Sequence, residues 1–136
     1  MTIQHDGEII LPRVYYTDHG GGTTRDCLVK DDGSMGYSSS SRVFKENIES
    51  MSDVSWLYNL NPVTFNYKES ERLSHGLIAE EVWNIKPELC YLATEGEKIE
   101  HSLETDAIGV DYKSFVPALI KVVQELSAKV TALENA

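Results

Sequence analysis

The apolar positions along this 136-residue chain change rhythm about a third of the way in. Up to residue 39 they come as short extended pieces, GEIILPRVYYT and CLV, separated by the loop DHGGGTTRD and the turn KDDGSMGY. Asp32-Gly33 in that turn predicts a tight reversal. Beyond a run of four serines, Ser38 to Ser41, Val43, Phe44, Ile48 and Met51 recur at three- and four-residue steps and predict a short amphipathic helix. Ser52 or Asp53 can cap a second helix, DVSWLYNL, which Pro62 stops. PVTFNYK then alternates Val63, Phe65 and Tyr67 onto one face of a strand, ESERLSH reads as a polar turn, and HGLIAEEVWNIKPEL as a strand entering a helix that ends near Pro87. CYLAT predicts another strand, and the acidic, weakly patterned EGEKIEHSLETDAIG a loop or a projecting hairpin.

The clearest periodicity is at the end. Val116, Val123 and Val130 fall seven apart, as do Leu119, Leu126 and Leu133, so together they make an a/d seam over three heptads on a helix spanning 112–135. One reading is a helix packed on its own domain; the other is a coiled coil, because so narrow an apolar stripe is marginal alone and is stabilised by meeting copies of itself. Val at a with Leu at d leans toward two strands, so the seam predicts an oligomer more firmly than its number. Pro117, near the helix start, kinks the entry or marks where the bundle begins.

Composition narrows the classes. With 41% hydrophobic residues the length suits one ordinary domain. The first 39 residues hold too little apolar material to fold alone. A formal charge of -10 argues against a nucleic-acid or anionic-membrane partner, which needs clustered Lys and Arg. Cys27 and Cys90 stand far apart without a metal-like spacing and imply no disulfide framework, so a reducing compartment is the simpler expectation. MTIQHDGEIILPRV has no basic stretch leading into a long apolar run, so neither a secretory leader nor a membrane span is expected.

Other chemistry is thin. His19 with Gly20 to Gly22 looks like an esterase oxyanion loop, but Asp32-Gly33-Ser34-Met35-Gly36 lacks the glycine two places before the serine that a nucleophile elbow needs. His5, His19, His75 and His101 have no ligand spacing, so no metal and no other cofactor is expected. Glu80 and Glu81 are adjacent and point apart on a helix, which fits solvated or capping roles. Trp56, Tyr58 and Trp83 read as core or interface aromatics. Without further context, Lys45 after a serine run reads as a surface charge pairing with Glu49.

Taken in order, SSRVFKENIES, LNPVTFNYK, HGLIAEEVWNIKPEL, VDYKSFVPALIKVVQEL and the closing heptads resemble one family over residues 38–136. It is the peptidase S74 domain, the C-terminal intramolecular chaperone of phage tailspikes, tail fibres and endosialidases, also found in the myelin regulatory factor. The resemblance implies an α+β fold: a small mixed domain of short helices and strands with a long C-terminal coiled-coil helix, homotrimeric, preceded by a short β-rich stub of the fibre. Residues 1–39 would be the end of the client fibre and 40–136 the chaperone. The family drives trimerisation of the preceding fibre and cuts itself off with a serine and a lysine five residues later. These fall on Ser40 and Lys45, with the scissile bond between Ser39 and Ser40. Many relatives carry Asp directly after the serine where this chain has Ser41, which is itself four residues from the lysine and stays as the alternative nucleophile. The seam residues Val116, Leu119, Val123, Leu126, Val130 and Leu133 would form the trimer interface. The implied setting is the host cytoplasm during virion assembly, with the fibre part ending in the virion tail. The rival reading is a permanent, non-catalytic trimeric foot; a third is an adaptor whose terminal helix recruits another coiled coil.

The chemistry asks for a specific geometry. A serine hydroxyl attacks a carbonyl poorly unless a neighbouring base removes its proton. A lysine serves only when neutral, and lysines ordinarily titrate near 10.4, so the amine needs an apolar, water-poor setting. Phe44 and Ile48 are the residues placed to supply it, once neighbouring subunits close over the site. Residues five apart on an ideal helix are rotated by roughly 140° and share no face. Ser40 is therefore expected in an extended lead-in, with Lys45 in the first helical turn reaching back. A serine run, poor at holding a helix, suits that lead-in.

Overall fold

A computed structural model of the chain describes residues 2–3, 9–10, 25–30, 32–93 and 104–136, the first two pairs by strand placement alone. The glycine run 20–22 and the acidic stretch 94–103 lie outside the described residues, as do His5, His19 and His101. The chain forms two compact units, Met1–Ile48 and Glu49–Ala136.

The first unit contains two antiparallel strand pairs. Strand β1 (Thr2–Ile3) pairs with β2 (Ile9–Ile10), and β3 (Leu28–Val29) with β4 (Met35–Gly36). The β3–β4 reversal uses the Asp-Gly dipeptide as expected: Gly33 takes a left-handed φ of 79°, its N–H donates to the Lys30 carbonyl at 2.9 Å, and Asp32 Oδ1 accepts from the Ser34 N–H at 2.8 Å. Those hydrogen bonds from Ser34 hold the Asp32 carboxyl below its ordinary pKa.

The amphipathic helix expected over 43–51 does not form. A single 3₁₀ turn covers Arg42–Phe44, Lys45 is already extended (φ -129°, ψ 145°), and Asn47 sits at φ 50°. Periodicity misled because no core stands behind the stripe: Val43, Phe44, Ile48 and Met51 are all exposed, Val43 and Phe44 by 85% and 75%. An isolated two-turn helix with nothing to bury is too short to hold itself.

All the buried apolar residues among those described belong to the second unit. DVSWLYNL becomes a 3₁₀ helix, Ser55–Asn59, with Val54 at its N-cap. Asp53, one place earlier, accepts from the Ser55 N–H at 2.9 Å and the Ser55 hydroxyl at 2.8 Å. Strands β5 (Val63–Asn66) and β6 (Leu73–Gly76) form an antiparallel hairpin, so part of the presumed polar turn is strand. Val63 and Phe65 share the half-buried face, while Tyr67 lies beyond the strand and is exposed. Helix α1 (Ala79–Trp83) is shorter than expected, with a separate 3₁₀ turn at Pro87–Leu89. Strand β7 (Cys90–Leu92) pairs antiparallel with β8 (Ala107–Val110), so the last three residues of the segment expected as a loop or projecting hairpin, Ala107 to Gly109, are strand.

A 3₁₀ turn (Tyr112–Ser114) leads into α2, Phe115–Glu134, whose 20 residues span about 30 Å. Pro117 is tolerated because it lies in the first turn, where its missing N–H has no intrahelical acceptor. Only Phe115, Ala118 and Val122 of α2 are buried. Ala118 and Val122 close on Val54, and Phe115 joins Val82 and Leu89, with Trp56 and Leu57 packed against both clusters. Trp56 meets the Phe115 ring edge-on at 5.7 Å. This is the α+β arrangement of short helices and strands with a C-terminal helix that the sequence predicted.

Candidate functional site

The serine run lies in no helix or strand and is exposed; its last residue, Ser41, is extended at φ -65° and ψ 141° and N-caps the turn Arg42–Phe44. Backbone bonds from the Phe44 N–H to the Ser41 carbonyl and from the Lys45 N–H to the Arg42 carbonyl, each 3.1 Å, close the turn. Because a 3₁₀ turn completes a revolution in about three residues, the chain reverses between Ser41 and Lys45. The Lys45 side chain therefore runs back along the lead-in, and its Nζ donates to Ser40 Oγ at 2.9 Å. The two groups expected to work together do meet, through one 3₁₀ turn with Lys45 just past its end and not through a first helical turn. Around them the Ser41 N–H donates to Ser39 Oγ at 3.3 Å, and the Val43 N–H to Ser41 Oγ at 3.4 Å. Sequence reasoning missed these two serine roles, although a serine directly ahead of an apolar run is the ordinary mark of an N-cap.

Ser40 and Lys45 are exposed in the single chain, and so are Val43 and Phe44 beside the lysine. The apolar groups wanted for a water-poor setting are present but uncovered.

Every residue of the heptad seam is exposed: Val116, Leu119, Val123, Leu126, Val130 and Leu133. The fold uses the Phe115, Ala118 and Val122 stripe for its own core and leaves the a/d stripe bare. Of the two sequence readings of this helix, own-domain packing holds for its first two turns alone.

The remaining candidates have structural surroundings. His75 stands on β6 opposite Thr64 and, with Tyr58, Leu60, Leu77 and Phe115, lines a groove of about 650 Å³ in the second unit that reaches Leu119. Glu81 accepts from Asn61 Nδ2 at 3.3 Å, and both Glu80 and Glu81 lie in the first turn of α1, where the helix dipole favours them. Cys27 and Cys90 are free thiols. Cys90 Sγ donates to the Ala79 carbonyl at 3.6 Å, and burial pushes its pKa up, which makes it a packing thiol. Among the described residues no group of three or more His, Cys, Asp or Glu could hold a metal ion, and no helix is long and apolar enough to cross a membrane.

Compared with known proteins, residues 40–91 match the family model Peptidase_S74, described as chaperone of endosialidase. No curated protein and no solved structure matches the chain. The matched segment begins at the serine that Lys45 contacts and runs through the β5–β6 hairpin, α1 and into β7. The match over residues 40–91 supports the resemblance of this segment to the peptidase S74 family, the chaperone of endosialidase.

Proposed function

We propose that the chain is an intramolecular chaperone that assembles as a homotrimer through α2, folds the fibre or spike segment preceding Ser40, and then releases itself by cutting between Ser39 and Ser40. The observation that carries this reading is the 2.9 Å contact between Lys45 Nζ and Ser40 Oγ at the first residue of the family segment. A neutral amine at the same separation accepts the hydroxyl proton as readily as an ammonium donates to the oxygen. In the proposed reaction Ser40 Oγ bonds to the Ser39 carbonyl carbon while its proton passes to Lys45. The bond from that carbon to the Ser40 nitrogen breaks, and Lys45 returns the proton to the leaving amine. Water completes the hydrolysis, leaving a carboxylate on Ser39.

Assembly supplies the switch. Val43 and Phe44 are bare in the single chain. A sister subunit pressed onto them would exclude water from Lys45 and favour its uncharged form. Cleavage would then report that the fibre has come together, in the host cytoplasm during virion assembly, leaving the fibre in the tail.

Intact-mass measurement on the full chain after incubation tests the reading. Fragments 1–39 and 40–136 are expected from the wild type and none from Ser40→Ala. A wild-type trimer that stays whole after long incubation would overturn self-release and leave the permanent foot.

A further inference from the structure

We infer that Ser41 is a positioning residue, the N-cap whose hydroxyl shapes the turn that lays Lys45 over Ser40. The inference rests on the Ser40–Lys45 reading above for its consequence, though not for its geometry. Ser41 makes two hydrogen bonds, one into the turn and one back across Ser40. Its Oγ accepts from the Val43 N–H at 3.4 Å, and its own N–H donates to Ser39 Oγ at 3.3 Å. The first satisfies an N–H that the 3₁₀ turn Arg42–Phe44 leaves without a backbone acceptor, which is what an N-cap does. The second ties the side chain of the residue before the scissile bond to the residue after the nucleophile.

The lysine depends on this turn for its direction. Ser40 and Lys45 belong to no regular element, and the side-chain contact joins two exposed groups. With Val43 and Phe44 uncovered, no apolar packing among the described residues holds Arg42–Phe44 in place. What fixes the reversal is the pair of 3.1 Å backbone bonds from Phe44 to Ser41 and from Lys45 to Arg42, together with the cap. A three-residue turn has little cooperativity of its own, so its cap carries a large share of its stability. Ser41 thus acts through Lys45, and Ser41 Oγ is engaged with the backbone while Lys45 Nζ is engaged with Ser40.

Ser41→Ala removes the cap, and Ser41→Asp replaces it with one at least as good that cannot serve as the attacking hydroxyl. The chemistry is read from full-length chains by intact mass. Ser41→Ala is expected to cut about five-fold more slowly, still between Ser39 and Ser40, and Ser41→Asp to restore the wild-type rate, the fold-change being that of an ordinary cap. The turn is read separately in the uncut Ser40→Ala background, by exchange of the Val43 amide proton. Adding Ser41→Ala should speed that exchange about five-fold, and adding Ser41→Asp should not.

Loss of cleavage in both Ser41 variants would make Ser41 the nucleophile and overturn the inference. So would a Val43 amide indifferent to Ser41→Ala. If the wild type never cuts while the Val43 amide responds as expected, the Ser-Lys reading fails and the cap stands.

Discussion

Tyr112 and Leu77, thirty-five residues apart, are joined twice through one phenol oxygen. The Leu77 N–H donates to Tyr112 Oη at 2.8 Å, and the Tyr112 hydroxyl donates to the Leu77 carbonyl at 3.5 Å. The bond ties the end of β6 to the start of the helical C-terminus, and Tyr112 also lies 6.2 Å from the Phe115 ring that anchors α2. Tyr112→Phe keeps the ring and deletes both bonds. It should lower the unfolding free energy by about 1–2 kcal/mol, read from urea denaturation.

Gly76 makes room for that phenol. A Cβ at position 76 would stand 2.6 Å from Tyr112 Oη and 3.3 Å from the Phe65 ring. Gly76→Ala should therefore cost about 1–3 kcal/mol through displacement of a ring held at both ends. Because the closest clash is with the hydroxyl, the two substitutions should be non-additive. In a double-mutant cycle, Gly76→Ala should cost less in the Tyr112→Phe background, by about 0.5 kcal/mol or more.

At the proposed Ser40–Lys45 dyad, Lys45→Arg separates a proton acceptor from a positive charge. Guanidinium keeps the charge and the reach but does not deprotonate in proteins. Cleavage should fall at least about 100-fold, followed by intact mass at a concentration where the chain is assembled. If Lys45→Arg cuts at the wild-type rate, the lysine serves only as a charge.

On α2, the folding face and the assembly face can be broken independently. Leu126→Glu alters a residue that is 47% exposed and should shift sedimentation to the monomer, with circular dichroism losing only the helicity of the α2 tip while the base around Ala118 stays folded. Ala118 is fully buried against Val54, so Ala118→Leu should destabilise the second unit by about 1–3 kcal/mol.

Acid should loosen the entry to the Ser55–Asn59 helix. The backbone N–H and then the hydroxyl of Ser55 hold the Asp53 carboxyl below its ordinary 3.8. A folded-state pKa below the unfolded one adds stability that is complete above 3.8 and drains away as pH falls through the lower folded value. Asp53→Asn should flatten that limb of a stability–pH curve measured by urea denaturation.

How far the sequence could be read depends on what each residue faces. The α2 seam was legible because a heptad needs only spacing, and the Asp32-Gly33 reversal because the left-handed φ at Gly33 is a local demand. The Ser40–Lys45 contact was legible through family resemblance and the lysine's reaching back through the five-residue step, while its expected place in a first helical turn was not met because the chain makes only a 3₁₀ turn there. The helix over 43–51 was misread because periodicity cannot tell a stripe that meets a core from one that stays bare, as Val43 and Phe44 do. Tyr112 over Gly76 had no local signature, since its partner lies far along the chain. The cap at Ser41 involves a neighbour two residues away and was within reach of turn chemistry; Asp53 was read as a possible cap and does bond Ser55, although Val54 takes the N-cap position.

Beyond Val122, helix α2 buries nothing in its own chain. A stretch of about three turns is marginal in water when left to itself, even with the Lys121–Glu125 ion pair at its base. If α2 assembles with copies of itself as proposed, its order depends on how many of them are present, and the tip behaves as a gauge of local abundance. Dilution should fray it from Ala136 inward while the packed base around Ala118 stays wound, giving the molecule a graded readout of how many siblings are near.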